Sequence, residues 1–507
     1  MGLRKGHGYE EQIRNTLYQA QMNFHMIYRL KNHLFRKWNR DFLGRKGFTL
    51  IGLAVVFFLG ASWTSAGQEK NIRPWSKNRN YWQFKGKPLL LLGASDDDNL
   101  FQWPAEILIP HLDSMKAIGA NYVRNTMSDR KDRGFECYPF KKLENGKYDL
   151  DQWNDAYWER FSYFLEETRK RNIIVQIEVW DRFDYSREHW LVHPYNPVNN
   201  INYSAGESKL AAAYPDHPGL NRQPFFFTTP NQKNNEVILK YQTRFVEKML
   251  SISLGYDHVL YCIDNETSAA EEWPLFWAEL IRDHAKAAGK EICITEMWDA
   301  WNLQSDQHKR TLDHPDLYAF CDVSQNNQQK GQAHWDNFQW VKKYTASHPR
   351  PLNTVKTYGA DGGSHGSTKD GLERWWRHLL GGAAAARFHR PTSGLGLSEL
   401  SINSVRSARK IEEKVKFWDL SPSPQMLSDR QKNEVYLACN PGKAYLLFFT
   451  DGGEAGVDLK GYPGKYSLQW VNVRTGQWLK PTKVTGGAVL PLKAPDQLEW
   501  IALLLAR

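Results

Sequence analysis

The segment Val259-Leu260-Tyr261-Cys262-Ile263-Asp264-Asn265-Glu266-Thr267 decides the reading of this chain. Its first five residues are apolar, β-branched or aromatic, the composition of a buried strand. Three polar residues end the run, two of them acidic, and a helical pattern follows from Glu271 through His284. A strand closing in Asn-Glu just ahead of a helix sets a carboxylate at the carboxyl end of a parallel sheet. In barrels of alternating strands and helices, that end carries the catalytic groups. Glu266 is therefore the first candidate for proton transfer, with Asn265 placed to orient a substrate hydroxyl. The competing reading makes Glu266 a helix cap, because acidic residues favour helix N-termini.

The alternation extends to both sides of this segment. Strands are predicted at Pro88–Gly93, Asn121–Asn125, Ile173–Trp180, the stretch ending at Glu266, Ile292–Trp298, Ala319–Ser324, Pro351–Thr357 and Gly382–Phe388. Helical patterns at Ile109–Ile118, Trp158–Arg171, Glu236–Ser253, Trp335–Ser347, Lys369–Leu380 and Ile402–Val415 lie among them, with the helix after Glu266 running to about Ala288. This series predicts an α/β fold, a (β/α)8 TIM barrel over residues 75–417. The stretch Asp181–Asn235, rich in Pro, Asn and Tyr, reads as an insertion looping over the active face. Beyond Ser421-Pro422-Ser423-Pro424 the pattern changes to short strands at Tyr445–Phe449, Tyr466–Trp470 and Glu499–Leu504. With Asp451-Gly452-Gly453 and Pro463-Gly464 read as hairpin turns, residues 425–507 predict a small C-terminal antiparallel β-sandwich.

Composition limits the functional classes. The 507 residues carry a net charge of +10, but residues 1–47 hold ten Lys/Arg and three Asp/Glu, a net of +7. Only +3 (10 minus 7) remains for the rest of the chain, so the folded part gives no argument for nucleic-acid binding. After this basic arm comes the uncharged run Phe48–Trp63, closed by Thr64-Ser65-Ala66, which makes 48–66 a signal peptide or membrane anchor. The expectation is an exported protein that meets a membrane only through that segment, if it stays uncleaved. The five cysteines are scattered without metal-like spacing, and three fall inside predicted strands, where buried inert thiols are expected. No zinc motif, P-loop or dinucleotide fingerprint is present, so neither cofactor nor metal is expected. Aromatic residues make up 13% of the chain, with 21 tryptophans. Indole faces of this kind stack on sugars, although more than half should be core.

Two further motifs carry a resemblance. Tyr148-Asp149-Leu150-Asp151-Gln152-Trp153-Asn154 precedes a helix and a strand that begins after Arg171-Asn172-Ile173. Trp470-Val471-Asn472-Val473-Arg474-Thr475-Gly476 and Pro495-Asp496-Gln497-Leu498-Glu499-Trp500 close the chain. Over most of residues 75–507 this arrangement resembles the exported apiosidase-like glycoside hydrolases of the retaining clan A barrels. The resemblance implies a carbohydrate substrate, Glu266 as acid/base, Arg124 on the second strand beside the nucleophile, and a terminal sandwich of the type labelled collagen-binding. Two departures stand out. Strand seven has Lys356 where the clan places its nucleophilic Glu, and strand one reads Gly93-Ala94-Ser95-Asp96-Asp97-Asp98 instead of Gly-Asp-Thr.

Glycoside hydrolysis uses two carboxylates on either side of the scissile bond, one of them protonated near neutrality. Glu266 is the expected acid/base. Its partner is sought first at Glu296, then at Asp361 in the glycine-rich loop after strand seven, then at Asp181 after strand three. An incomplete pair would make the protein a noncatalytic carbohydrate binder. Lys356 is placed to hold a substrate carboxylate. Asn125, Trp180, Trp298, Asn326, Tyr358 and His389 fall at predicted strand ends, where they could bridge hydroxyls or stack on rings.

Overall fold

The computed structural model describes residues 70–507 apart from 129, 132, 364, 432 and 433. The basic arm and the apolar run 48–63 lie outside the described residues. Among the described residues, no helix is long and apolar enough to cross a membrane.

Eight parallel strands alternate with eight helices. The strands are β1 (Leu91–Ala94), β2 (Tyr122–Thr126), β3 (Ile174–Asp181), β4 (Val259–Asn265), β5 (Ile294–Thr295), β6 (Cys321–Asp322), β7 (Leu352–Thr357) and β8 (Ala385–Phe388). They are followed in turn by α1 (Ala105–Ala117), α2 (Asp155–Arg171), α3 (Glu236–Ser253), α4 (Glu272–Ala287), α5 (Asp306–Leu312), α6 (Gly331–Tyr344), α7 (Thr368–Gly381) and α8 (Glu399–Lys414). The strands form two four-stranded sheets, ordered β5-β4-β3-β2 and β6-β7-β8-β1. Backbone hydrogen bonds join the sheets at both seams, from Asn121 N to Leu92 O (2.8 Å) and from Ala319 N to Ile294 O (3.0 Å). β3, β4 and β7 are buried along their whole length, as expected of parallel strands covered on both faces. Gly93 lets β1 approach β2, since a Cβ there would stand 2.3 Å from the Tyr122 carbonyl oxygen.

Several expectations need correction. The run Pro88–Gly93 is broken at Leu90. Lys87–Leu89 joins Arg73–Trp75 and Asn78–Phe84 in an antiparallel sheet, and the indole of Trp82 from that sheet donates to Asn353 at the start of β7 (2.9 Å). β5 and β6 pair over two residues each, although their apolar runs are longer. α5 was not predicted because Asp-Gln-His-Lys-Arg-Thr-Leu offers no apolar periodicity. The insertion after β3 is a packed unit rather than an open loop. Tyr185 and Phe225 stack at 4.1 Å, and Phe226 meets Trp273 of α4 at 5.0 Å.

The C-terminal strands are β9 (Val435–Asn440), β10 (Ala444–Phe449), β11 (Glu454–Asp458), β12 (Lys465–Asn472), β13 (Thr482–Thr485), β14 (Val489–Lys493) and β15 (Trp500–Ala506). They form two antiparallel sheets, one containing β9-β10-β15-β12-β13 and the other β11-β14. Asp451-Gly452-Gly453 and Pro463-Gly464 are therefore not hairpin turns. Each carries the chain from one sheet to the other, and tight turns at Gly452 (φ 65°) and Gly453 (φ 88°) redirect the backbone. The larger sheet packs on the helices: Phe448 stacks on Trp376 of α7, and Tyr436 meets Trp335 of α6 at a tilt. The side chains at this contact belong to the same apolar cluster as the interior of the parallel sheets. All five cysteines are free, and burial pushes the thiols of Cys262, Cys293, Cys321 and Cys439 up.

Candidate active site

Glu266 follows the last residue of β4 and adopts a left-handed backbone (φ 57°), a conformation that a non-glycine residue seldom holds. Such outliers cost ~1–3 kcal/mol and persist where surrounding structure enforces them. The enforcement is visible. Thr267 N donates to Met297 O (2.8 Å), Asp299 N to Thr267 O (3.0 Å), and Asp264 N to Glu296 Oε2 (3.1 Å). The Thr267 hydroxyl donates to the other oxygen of Glu296. The β4 end is thereby fixed to the β5 end, and Glu266 projects from the turn with 15% of its side chain exposed.

The groups around Glu266 determine its chemistry. Lys356 of β7 donates to its Oε1 and, at 3.0 Å, to Asn265 Oδ1; the Tyr358 hydroxyl lies 3.4 Å from the same Glu266 oxygen. Burial pushes the Glu266 carboxyl up, but the Lys356 ammonium overcomes this and, with Arg124, holds it at about 2. Glu266 is thus an anion at neutral pH, which corrects the expectation of a raised, proton-bearing acid. Lys356 has Glu266 as its counter-ion and is not free to receive a substrate carboxylate. Tyr358 stacks on His365 at 4.7 Å and contacts His389 at 4.5 Å. The next residue is necessarily glycine: Gly359 has φ 127°, and a Cβ there would stand 2.4 Å from Gly371 N.

The expected second carboxylates lie elsewhere. Glu296 is fully buried and turned onto the β4 backbone, where burial and neighbouring Asp264 keep it well above the carboxylate range. It positions the Glu266 turn and does not face an opening. Asp361 is exposed and accepts from Thr368 N (3.0 Å), capping the start of α7. Asp181 is buried, accepting from Arg130 (2.6 Å) and Asn265 Nδ2 (3.2 Å).

The carboxylate that does share the surroundings of Glu266 is Asp299, three residues beyond Glu296. Burial pushes it up to about 7, the Glu266 charge pushes the same way, and Lys356 and Arg182 oppose both. The insertion reaches it: a Cβ at Gly219 would lie 3.5 Å from Asp299 Oδ2. Two residues further, Trp301 is 61% exposed. Asp299, Trp301 and His365 were not among the sequence candidates. A usable signal was the acid that follows the apolar Ile292–Trp298 run.

The remaining sequence candidates divide clearly. Arg124 is buried between Asp98 (2.8 Å) and Glu178 (2.6 Å) and helps hold Glu266 ionised. His389 lies 3.7 Å from Asp98, which burial pushes up but Arg124, His389, Arg387 and Arg390 pull well below its ordinary value. The acidic run after β1 is tied into the fold: Asp97 accepts from Trp103 (3.0 Å) and Arg133 (2.9 Å). Asn265 divides its amide between Lys356 and Asp181. Asn125 accepts from Phe101 N (3.2 Å), and Asn326 donates to His334 O (2.9 Å); both are fully buried. Trp180 is core, packed among Phe225, Phe245, Trp273 and Trp277. Trp298 is equally buried and donates to Thr311 Oγ1 (2.8 Å). Neither indole offers a face to a sugar.

This chain is similar in structure to several glycoside hydrolases. A family 5 glycoside hydrolase from Bacteroides vulgatus aligns over 87% of this chain and 95% of its own, with 12% identity and a TM-score of 0.57. A second protein described as a glycoside hydrolase aligns over 87% and 98%, with 10% identity and a TM-score of 0.57. The family 5 mannosidase of Rhizomucor miehei covers 69% of this chain and 99% of its own, with 11% identity and a TM-score of 0.50. The chain has the fold of these enzymes. No family model and no curated protein sequence matches it.

Proposed function

We propose that the protein is a glycoside hydrolase acting on a poly- or oligosaccharide, with Glu266 and Asp299 as its two carboxylates. Two placements carry it. Glu266 projects from the end of β4, paired with Lys356, which holds it at about 2. Half-buried Asp299 stands after β5 beside Gly219 of the insertion, and burial and the Glu266 charge push it up to about 7. Glycosidic cleavage needs this division, one carboxyl to protonate the leaving oxygen and one carboxylate to attack the anomeric carbon or activate water. Asp299 takes the first role and Glu266 the second. Lys356 keeps Glu266 ionised, and Tyr358 completes its hydrogen bonding. Trp301 offers an exposed face to a sugar ring beside the acid. The shared fold of glycoside hydrolases supports the reading, with the eight strands closing as one (β/α)8 barrel. Retention, export through the 48–66 segment and kinship with the apiosidase-like enzymes belong to the same proposal.

Lys356, standing where clan A barrels place a nucleophile, favours one alternative: a carbohydrate-binding protein on a glycosidase scaffold. Assay of aryl glycosides and plant and algal glycans with the wild type, Glu266→Gln and Asp299→Asn separates the two. The hydrolase reading expects turnover that both substitutions suppress while ligand binding persists. Binding without turnover in the wild type would leave the binder.

A further inference from the structure

A second cavity lies at the other end of the parallel strands. It has a volume of about 560 Å³ and is lined by the approaches to β5 and β6 (Ile292, Cys293, Ala319) and by the segment where the described chain begins (Asn71, Arg73, Arg79). Active sites of this fold occupy the carboxyl ends of the strands, so this cavity is separate from the site around Glu266. Its size falls within the range of small-molecule pockets. Its charge is one-sided. Arg73, Arg79, Arg282, Lys286 and Lys290 line it against only Glu291 and Asp316. Lys290 pairs with Asp257 at 3.5 Å, whereas Arg73, Arg79, Arg282 and Lys286 have no ion pair among the described residues. Arg73 and Arg79 act electrostatically on buried Cys293, in the wall of the cavity. Arg73 is half-buried and Arg79, Arg282 and Lys286 are exposed at the cavity, so the lining presents a positive potential that an anion complements. Guanidinium groups bind phosphate oxygens through paired N–H donors.

We propose that this cavity binds a phosphate group, carried either by an anionic lipid headgroup or by a soluble phosphorylated compound. A lipid source accords with the sequence expectation of a membrane-meeting segment at 48–66, which precedes Asn71 in the chain. The inference does not depend on the hydrolase reading.

Calorimetric titration of the full chain in neutral detergent tests it, using inorganic phosphate, short-chain phosphatidylglycerol and, as the zwitterionic comparison of zero net charge, short-chain phosphatidylcholine. Saturable binding of phosphate or phosphatidylglycerol is expected, weakened at least ~10-fold in Arg73→Gln/Arg282→Gln and reduced by salt. Tight binding of inorganic phosphate points to a soluble ligand. Binding of phosphatidylglycerol that inorganic phosphate fails to displace points to the lipid. Arg79→Gln/Lys286→Gln, at two exposed positions, serves if the first variant does not fold. Absence of saturable binding to either anionic probe, or unchanged binding in a folded variant, overturns the proposal.

Discussion

Glu266 and Glu296 stand at the ends of neighbouring parallel strands, each after an apolar run, yet their surroundings differ in almost every respect. Glu266 sits on a left-handed turn, partly exposed, with Lys356 holding it ionised at about 2. Glu296 is sealed from water, bonded to Thr267 and to Asp264 N, and pushed well above the carboxylate range. The difference teaches that a strand-end carboxylate is defined by what faces it, not by its place in the strand. One projects because the other holds the turn that projects it.

The comparison can be broken most forcefully at Glu266. Glu266→Gln should lower kcat/KM by ~10²–10⁴-fold, the range for loss of an acid–base group. It should also destabilise the fold by ~3 kcal/mol in denaturant unfolding, because Lys356 stays buried without its counter-ion. Glu296→Gln, by contrast, replaces a carboxyl that burial and Asp264 push well above its ordinary range; the amide oxygen can still accept from Asp264 N and the amide nitrogen can donate to the Thr267 hydroxyl oxygen. The substitution should change activity by less than ~10-fold, whereas Glu296→Ala leaves Asp264 N unpaired and should cost ~2–4 kcal/mol. Equal losses of activity from the two Gln variants would contradict the division of roles.

Lys356→Met sharpens the same contrast. Without the ammonium, the burial of Glu266 is opposed only by Arg124 and Gln325, so its carboxyl should titrate above its present value of about 2. The acid limb of the pH–rate profile should then move to higher pH. An unmoved limb would detach Lys356 from the chemistry. The smallest expected effect is at Trp301, whose substitution by Ala should raise KM roughly 5-fold, equivalent to about 1 kcal/mol of stacking, with the melting temperature unchanged.

The buried histidines elsewhere in the fold give it a separate response to acid. Burial lowers His193, His258 and His378 to about 3 and His308 to about 4. Unfolded, these histidines take up protons near pH 6.5. The unfolded chain binds more protons below that value, so the stability present above pH ~6.5 is lost as pH falls toward 4. Thermal melts at pH 7.5, 5.5 and 4.5 should show a falling midpoint, and a flat series would contradict the burial assignment.

Much of the fold was legible because buried parallel strands are apolar on both faces and their helices keep a 3.6-residue period. The Glu236–Ser253 helix matched residue for residue. β5 and β6 were read too long because apolar content marks burial, whereas only two residues of each pair with a neighbour. The site was less legible. Position after β4 marked Glu266, but its charge state depends on Lys356, 90 residues away. Trp180 and Trp298 were chosen as sugar platforms on residue type, and large indoles at strand ends were packed inward instead. Trp301, outside any periodic segment, carries the exposed face. Asp299 looked like a loop acid, and nothing local reveals that Glu266 and a buried environment push it up.

The central claim is that Glu266 and Asp299 occupy opposite protonation states near neutrality, and the pH dependence of kcat/KM in wild type and Asp299→Asn tests it most directly. Wild-type activity should fall as pH rises through about 7, where Asp299 loses its proton, and Asp299→Asn should retain only weak activity without that limb. A basic limb near pH 7 that persists unchanged in the variant would contradict it.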